Sequence, residues 1–263
     1  MELQLDGKRA FVSGSTQGIG FAIAKALLAE GVSVVINGRQ QAGVAAAAER
    51  LRAEVAGASV SGIAADFERP EEVRALLHEL GDVDILVNNV GLFGLAPFVD
   101  ISDDDWQRYF DVNVMSGVRL SRELLGGMLA RNWGRIVFVG SESGVNIPAD
   151  MVHYGMTKAA MLAVSNGLAK LTRATGVTVN TVLGGPTYSD GVAGVVEQLA
   201  RAQGVPADDL KAAISAGNQT SLLQRFIEPA EIAQLVLYLA SPLSSATNGA
   251  AVRADGGVLT TTL

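Results

Sequence analysis

Ser13-Gly14-Ser15-Thr16-Gln17-Gly18-Ile19-Gly20 follows a short apolar run, Arg9 to Ser13, and leads directly into a helical stretch, Gly18 to Glu30. Without side chains, Gly14, Gly18 and Gly20 permit a tight turn, close approach of backbone to a pyrophosphate, and an open helix N-terminus whose positive end faces that charge. The spacing is GxxxGxG rather than GxGxxG. Alone, such a loop reads equally well as a plain glycine-rich turn. Its place between a first strand and a first helix favours a nucleotide site.

Outward from this loop, short apolar runs alternate with longer helical stretches. Arg9 to Ser13, Ser33 to Asn37, Val60 to Ala64, Ile85 to Asn88, Arg135 to Gly140 and Val177 to Val182 read as strands, with a seventh around Ala250 to Arg253. Short, unbroken apolar runs are what strands buried on both faces look like, and the intervening helices supply the crossovers that parallel strands need. Helices are expected over Gly18 to Glu30, Gln41 to Ala56, Pro70 to Leu80, Ser102 to Arg131, Val152 to Thr175 and Pro229 to Ala240. Pro70 and Pro229 suit a first helical turn, and Ser102 before Asp103, Asp104 and Asp105 reads as an N-cap with acids complementing the helix dipole. The pattern predicts a single α/β domain over residues 1–263 with a doubly wound, seven-stranded parallel sheet. Tyr188 to Leu223 interrupts the alternation with glycines, Pro206 and weakly amphipathic pieces, and is expected to form a substrate lid over about residues 188–223.

Composition narrows the chemistry. Of 263 residues 49% are hydrophobic and 18% charged, which fits a compact globular chain and not a disordered one. Cysteine is absent, so disulfides, thiolate nucleophiles and Cys-ligated metals are excluded. The two histidines, His78 and His153, are far apart and form no HExxH motif, so no metal site is predicted. A net charge of −7 disfavours nucleic acid and anionic membrane, leaving a small molecule as the expected partner. No apolar run approaches the roughly 18 residues that span a bilayer. The opening Met1 to Arg9 lacks an apolar signal core, so a cytoplasmic location is expected.

Farther along, Tyr154-Gly155-Met156-Thr157-Lys158 places a phenol and an ammonium four residues apart on one helix face. Taken in order with the glycine loop, Asn88-Asn89-Val90-Gly91, Asn113, and Ser141 thirteen residues before Tyr154, it resembles the short-chain dehydrogenase/reductase family of nicotinamide-dependent oxidoreductases, including its 3-oxoacyl reductase-like members. The resemblance runs from the first strand to Asp255-Gly256-Gly257 and implies a Rossmann fold. It further implies that Tyr154 is the general acid for carbonyl reduction, or the base in reverse. Lys158 would lower the phenol pKa and bond the nicotinamide ribose, Ser141 would hold the substrate oxygen, and Asn113 would support a water leading to Lys158. Bringing a phenol from about 10 toward neutrality takes roughly 4 kcal/mol of phenolate stabilisation. Ser141 could instead cap its strand, Ser143 is a rival serine, and Asn113 could be a packing amide.

The resemblance also supplies the cofactor contacts. They are expected from the glycine loop (Gly14, Ser15, Thr16, Gly18, Ile19 and Gly20), from Asp66 and Phe67 at the adenine, from Asn89 and Gly91 at the ribose, and from Tyr154 and Lys158 at the nicotinamide end. Asp66 reads almost as well as a loop cap. The second strand ends in Asn37-Gly38-Arg39, with no carboxylate to accept the ribose hydroxyls of NAD and a guanidinium able to pair with a 2′-phosphate. NADP(H) is therefore expected, with NAD(H) as the alternative; Gln17 stands where NADP-preferring members often carry a base. Val90 replaces the family's usual alanine. Gly184-Gly185-Pro186-Thr187-Tyr188-Ser189 replaces its Pro-Gly, loosening the backbone at Gly185, and Thr187 or Ser189 could bond the carboxamide, or serve only as turn hydroxyls.

The stretches expected to line a substrate pocket, Leu92-Phe93, Val145-Asn146-Ile147, Met151 and Val192 to Val196, are mainly apolar and carry no arginine clamp. A largely apolar carbonyl or alcohol is expected, with a 3-oxoacyl thioester as one candidate. Arg131, Arg135 and Arg173 could contribute to a docking face for an acyl carrier protein. His153 is expected on a helix surface or at an interface. The family implies a homotetramer. The competing reading is a non-catalytic dinucleotide-sensing or scaffold protein on the same fold.

Overall fold

The computed structural model describes residues 2–262. Seven strands form one sheet: β1 (Arg9–Val12), β2 (Ser33–Gly38), β3 (Val60–Ala64), β4 (Ile85–Asn88), β5 (Gly134–Ser141), β6 (Val177–Gly184) and β7 (Ala251–Ala254). Their order is β3-β2-β1-β4-β5-β6-β7, and every pairing is parallel. Helices cross over between them: α1 (Gly18–Ala29), α2 (Gln41–Glu54), α3 (Pro70–Leu80), α4 (Asp103–Tyr109), α5 (Met115–Ala130), α6 (Val152–Leu171), α7 (Asp190–Gln203), α8 (Ala207–Gly217) and α9 (Pro229–Ala240). This is the doubly wound Rossmann architecture expected from the alternation.

The unbroken apolar strands follow from burial on both faces. Ala10, Val12, Val34, Ile36, Ile85, Val87, Val137 and Val139 pack on one side with α1, α2 and α9. Their alternates Phe11, Val35, Leu86, Ile136 and Phe138 pack on the other with Leu76 of α3, Leu120 of α5 and Met161 of α6. Strand order reverses between β1 and β4, and Val12 is aligned with both Ile36 and Val87. The loops after β1, β2 and β4 therefore leave from one edge, where open α/β sheets place their ligands. No helix among the described residues is long and apolar enough to cross a membrane.

Two helix expectations are corrected. Ser102 to Arg131 is not one regular helix: Ser102 caps it, accepting from the Asp105 N–H at 3.1 Å, but a π-helical turn at Phe110–Val114 separates α4 from α5. That turn swings Asn113 inward, where it is 1% exposed. The helix expected to reach Thr175 stops at Leu171, because Thr172 folds its hydroxyl back onto the Ala169 carbonyl at 2.9 Å and Ala174 turns to a φ of 62°. The stretch after β6, expected to carry weakly amphipathic helical pieces within a loop-rich excursion, forms α7 and α8. Ser189 caps α7, accepting from Val192 N–H, and Gly204 ends it in the left-handed region.

Candidate active site

A cavity of about 340 Å³ opens at the carboxyl edge, lined by the glycine loop, the ends of β2, β4 and β5, Asp66, Phe67, Tyr154, Lys158 and Ser189. The loop that floors it is held from behind. The Asn37 side chain accepts from Gly14 N–H at 3.2 Å and donates to the Ile63 carbonyl at 3.0 Å. Asn89 donates to the carbonyls of Ser13 and Gly14 at 3.0 and 2.8 Å. Ser13 Oγ accepts from the N–H groups of Asn89 and Val90, and Ser15 Oγ accepts from Asn37 N–H while donating to the Val12 carbonyl at 2.6 Å. Gly14 has a φ of 61° with the Val90 backbone pressed against it, and a side chain on Gly20 would run into the Gly14 carbonyl oxygen. Val90 is thus accommodated by Gly14. Asn37, Asn89 and Ser15 act first as clamps on the loop, and Ser13 is a clamp that the glycine motif alone does not reveal.

The N-cap residue of α1, Gln17, makes no side-chain cap bond, and Ile19 and Gly20 in its first turn line the cavity. Gly18 N–H donates to the Asp190 carboxylate at 2.5 Å, and the N–H groups that follow it in the first turn suit the pyrophosphate of a dinucleotide. Thr16, Gly18, Gly91 and Arg39 also line the cavity. Arg39 is exposed and forms no ion pair among the described residues. Asp66 accepts from Glu68 N–H at 3.0 Å, so it caps its own loop while facing the cavity. Gly185 and Thr187 lie outside the lining: Gly185 packs on the Asp255 backbone, and Thr187 donates to the Gly185 carbonyl at 2.9 Å. Of the two hydroxyls expected near a carboxamide, Ser189 is the one at the cavity.

Tyr154 and Lys158 share that cavity from α6. The Lys158 ammonium is buried and donates to the Val139 carbonyl at 2.9 Å, 5.6 Å from the centre of the Tyr154 ring. Burial lowers Lys158 to about 8, with the Glu142 charge opposing. Burial pushes Tyr154 up to about 12; the Ser141 hydroxyl opposes this, and the charge of Glu142 adds to it. Ser141 ends β5, so the strand itself brings its hydroxyl close to the phenol. Asn113 accepts from Leu92 N–H at 2.6 Å and donates to the Leu92 carbonyl and to Thr157 Oγ1, both at 2.9 Å. It pins the segment after β4 to α6. A side chain at Gly91 would reach 3.5 Å from Asn113 Oδ1 and 3.7 Å from Lys158 Nζ, so amide and ammonium meet across this glycine.

Three further placements differ from expectation. His153 is buried within the chain, 4.1 Å from the Tyr109 ring and edge-on to Trp106, and burial lowers its pKa. Arg135, counted toward a docking face, is 2% exposed at the start of β5, opposite the cavity edge, where it donates to the carbonyls of Gly134, Gly176 and Ser241. Of the stretches expected to line the pocket, Leu92 and Phe93 do so, whereas Val145 and Ile147 are exposed outside it and Val196 is buried in α7. Nothing in the motifs singles out Glu142; the available signal is an acid between two serines, Ser141-Glu142-Ser143.

Comparison with known proteins agrees with this geometry. Residues 8–200 match the family model of short chain dehydrogenases. The chain is 45% identical to the uncharacterized oxidoreductase YvrD of Bacillus subtilis, over 98% of this chain and 99% of that one. It is 32% identical to a 3-oxoacyl-acyl-carrier-protein reductase of Vibrio harveyi, over 97% and 99%. L-sorbose reductase from Gluconobacter frateurii, solved with NADPH and L-sorbose, superposes with a TM-score of 0.94 at 31% identity, covering 99% of this chain and all of that one. A glycine-floored cavity with a tyrosine and lysine one helical turn apart, set in this fold and these likenesses, makes the chain a member of the short-chain dehydrogenase/reductase family of NAD(P)-dependent oxidoreductases.

Proposed function

We propose that the chain is an NADP(H)-dependent carbonyl reductase or alcohol dehydrogenase acting on a largely apolar substrate. The observation that carries this reading is the shared cavity: the first turn of α1 and the Tyr154–Lys158 pair line one space. When bound, the nicotinamide supplies or takes up the hydride. Tyr154 gives its proton to the developing alkoxide in reduction, or takes one from the alcohol in oxidation. Ser141 lies beside the phenol and steadies the reacting oxygen once its proton turns from Glu142 to that oxygen, a role in which one well-placed donor is worth about 3 kcal/mol. Returning a phenol held at about 12 to neutral pH needs about 7 kcal/mol of phenolate stabilisation. The buried Lys158 ammonium, which forms no salt bridge among the described residues, is the protein's own source of that positive charge.

Preference for NADP(H) is supported by the unpaired Arg39 in the cavity lining and by the absence of an acid at the end of β2. A 3-oxoacyl thioester belongs to the same substrate class, but buried Arg135 does not serve as a carrier-protein contact. Homotetramer assembly, carried over from the family, is tested by light scattering at micromolar concentration, where a monomer mass rejects it. The enzymatic reading is tested by following NADPH absorbance with a panel of ketones for the native chain and Tyr154→Phe. Turnover lost in the variant is expected. Turnover surviving the substitution removes Tyr154 from the chemistry, and cofactor binding without turnover of any ketone favours the sensor reading.

A further inference from the structure

Glu142 begins the short 3-10 turn Glu142–Gly144 that follows β5, and its carboxylate bridges two hydroxyls. Ser141 Oγ donates to one carboxylate oxygen at 2.6 Å and Ser143 Oγ donates to the other at 3.1 Å. A serine has one hydroxyl proton, and that of Ser141 is committed to Glu142. Ser141 Oγ also accepts from Ser143 N–H at 3.1 Å. The turn is seated on α6: a side chain on Gly144 would reach 3.1 Å from Lys158 Cβ and 2.9 Å from the Lys158 carbonyl carbon. The turn that carries the carboxylate is thereby held against Lys158, and among the described residues the ammonium forms no salt bridge.

We infer that Glu142 is a positioning residue of the reaction: its carboxylate holds the Ser141 hydroxyl in place beside Tyr154, in a turn seated against Lys158. The inference rests on the proposed roles of Tyr154 and Lys158. The groups facing that pair are Glu142 from the turn after β5 and Tyr109 from α4, with His153 stacked on Tyr109. Glu142 acts on both members in one direction, raising Tyr154 and raising Lys158. It therefore favours a proton on the phenol and a charge on the ammonium, the state required for reduction. To donate to a substrate oxygen, Ser141 must turn its proton away from Glu142.

The test uses the intact chain labelled with carbon-13 at the ε-carbon of its five lysines. Titrated by NMR without cofactor, Lys158 is expected to give a midpoint near 8, assigned by its loss in Lys158→Met. In Glu142→Gln that midpoint falls by about one unit, the size of effect that one neighbouring charge produces, whereas Glu142→Asp keeps it within about 0.3 unit. Circular dichroism establishes that each variant is folded. With the ketone that the native enzyme reduces fastest, the basic limb of kcat in Glu142→Gln moves down by about one unit, while KM changes less than about twofold. An unmoved Lys158 midpoint in folded Glu142→Gln overturns the inference. If the native chain reduces no ketone, the reductase reading fails on its own, and the lysine titration still decides the role of Glu142.

Discussion

Lys158 shows what the site costs the fold. Burial lowers its pKa from 10.5 to about 8, so between those values the unfolded chain binds the extra proton and native stability rises with pH. Below about 8 the penalty is complete, about 3 kcal/mol by linkage. Lys158→Met removes that penalty but leaves the Val139 carbonyl without its donor, which returns about 1 kcal/mol. The variant is therefore expected to be inactive yet more stable than the native chain by about 2 kcal/mol at pH 7, with the gain shrinking by pH 10. Urea unfolding at the two pH values checks this; a destabilised variant at pH 7 refutes it. Arg39 gives a second prediction. Arg39→Ala should weaken NADPH about 10- to 100-fold in kcat/KM, the worth of a charge-assisted bond, and leave NADH within about twofold. Equal losses for both cofactors would place the guanidinium elsewhere than at a 2′-phosphate. At this scale the sequence shows Tyr154 and Lys158 because helical spacing brings positions four apart together. It does not show that the Asn37 and Asn89 amides are spent on the glycine loop, since an amide in sequence carries no sign of its partners.

Elements differ in how plainly they can be read, for reasons of period. β4 and β5 are legible as short, continuously apolar runs because helices cover both faces of the sheet. The π turn at Phe110–Val114 is not, because one extra residue within a turn leaves a 3.6-residue pattern almost unchanged over a few positions. Helices α7 and α8 are obscured by their exposure, which leaves only a partial apolar stripe, although Ser189 and Gly204 mark the ends of α7. This segment is also tied down at a defined point. Asp190 in the first turn of α7 accepts from Gly18 N–H at 2.5 Å, and Gly191 lies against Phe93. Asp190→Ala removes the bond between α7 and the glycine loop, so amide exchange across residues 190–217 should accelerate several-fold, about the effect of losing 1 kcal/mol locally. Protection in β5 and β6 should stay as it is. An unchanged segment with altered strands would show that the contact supports the sheet and not these helices.

At the scale of the molecule, the two edges of the sheet divide their work. The amino edge buries Arg135 among backbone carbonyls, and Arg131 there is bound to Asp82 at 3.0 Å and to the Val83 carbonyl at 2.8 Å. The carboxyl edge carries the cavity and, beside it, exposed apolar side chains: Phe93, Leu95 and Phe98 after β4, and Val145 and Ile147 after β5. The backbone bond from Ala96 N–H to the Asp150 carbonyl, 2.8 Å, holds these two segments side by side, and Phe93 reaches α7 at Gly191. An apolar rim without an arginine clamp binds by area, at about 0.8 kcal/mol per buried methylene, or about fourfold in affinity. Along a series of straight-chain methyl ketones, kcat/KM should accordingly rise by up to about fourfold per methylene until the rim is covered. A keto acid of matched length should be a poorer substrate, because its carboxylate would lose water without gaining a counter-charge. The arrangement of charge makes this a sharp comparison, since the net −7 of the chain also disfavours the anion on approach. A keto acid turned over faster than its neutral homologue would mean that a cation outside this rim, such as Arg39 or Lys211, takes part in substrate binding, and the apolar substrate class would have to be abandoned.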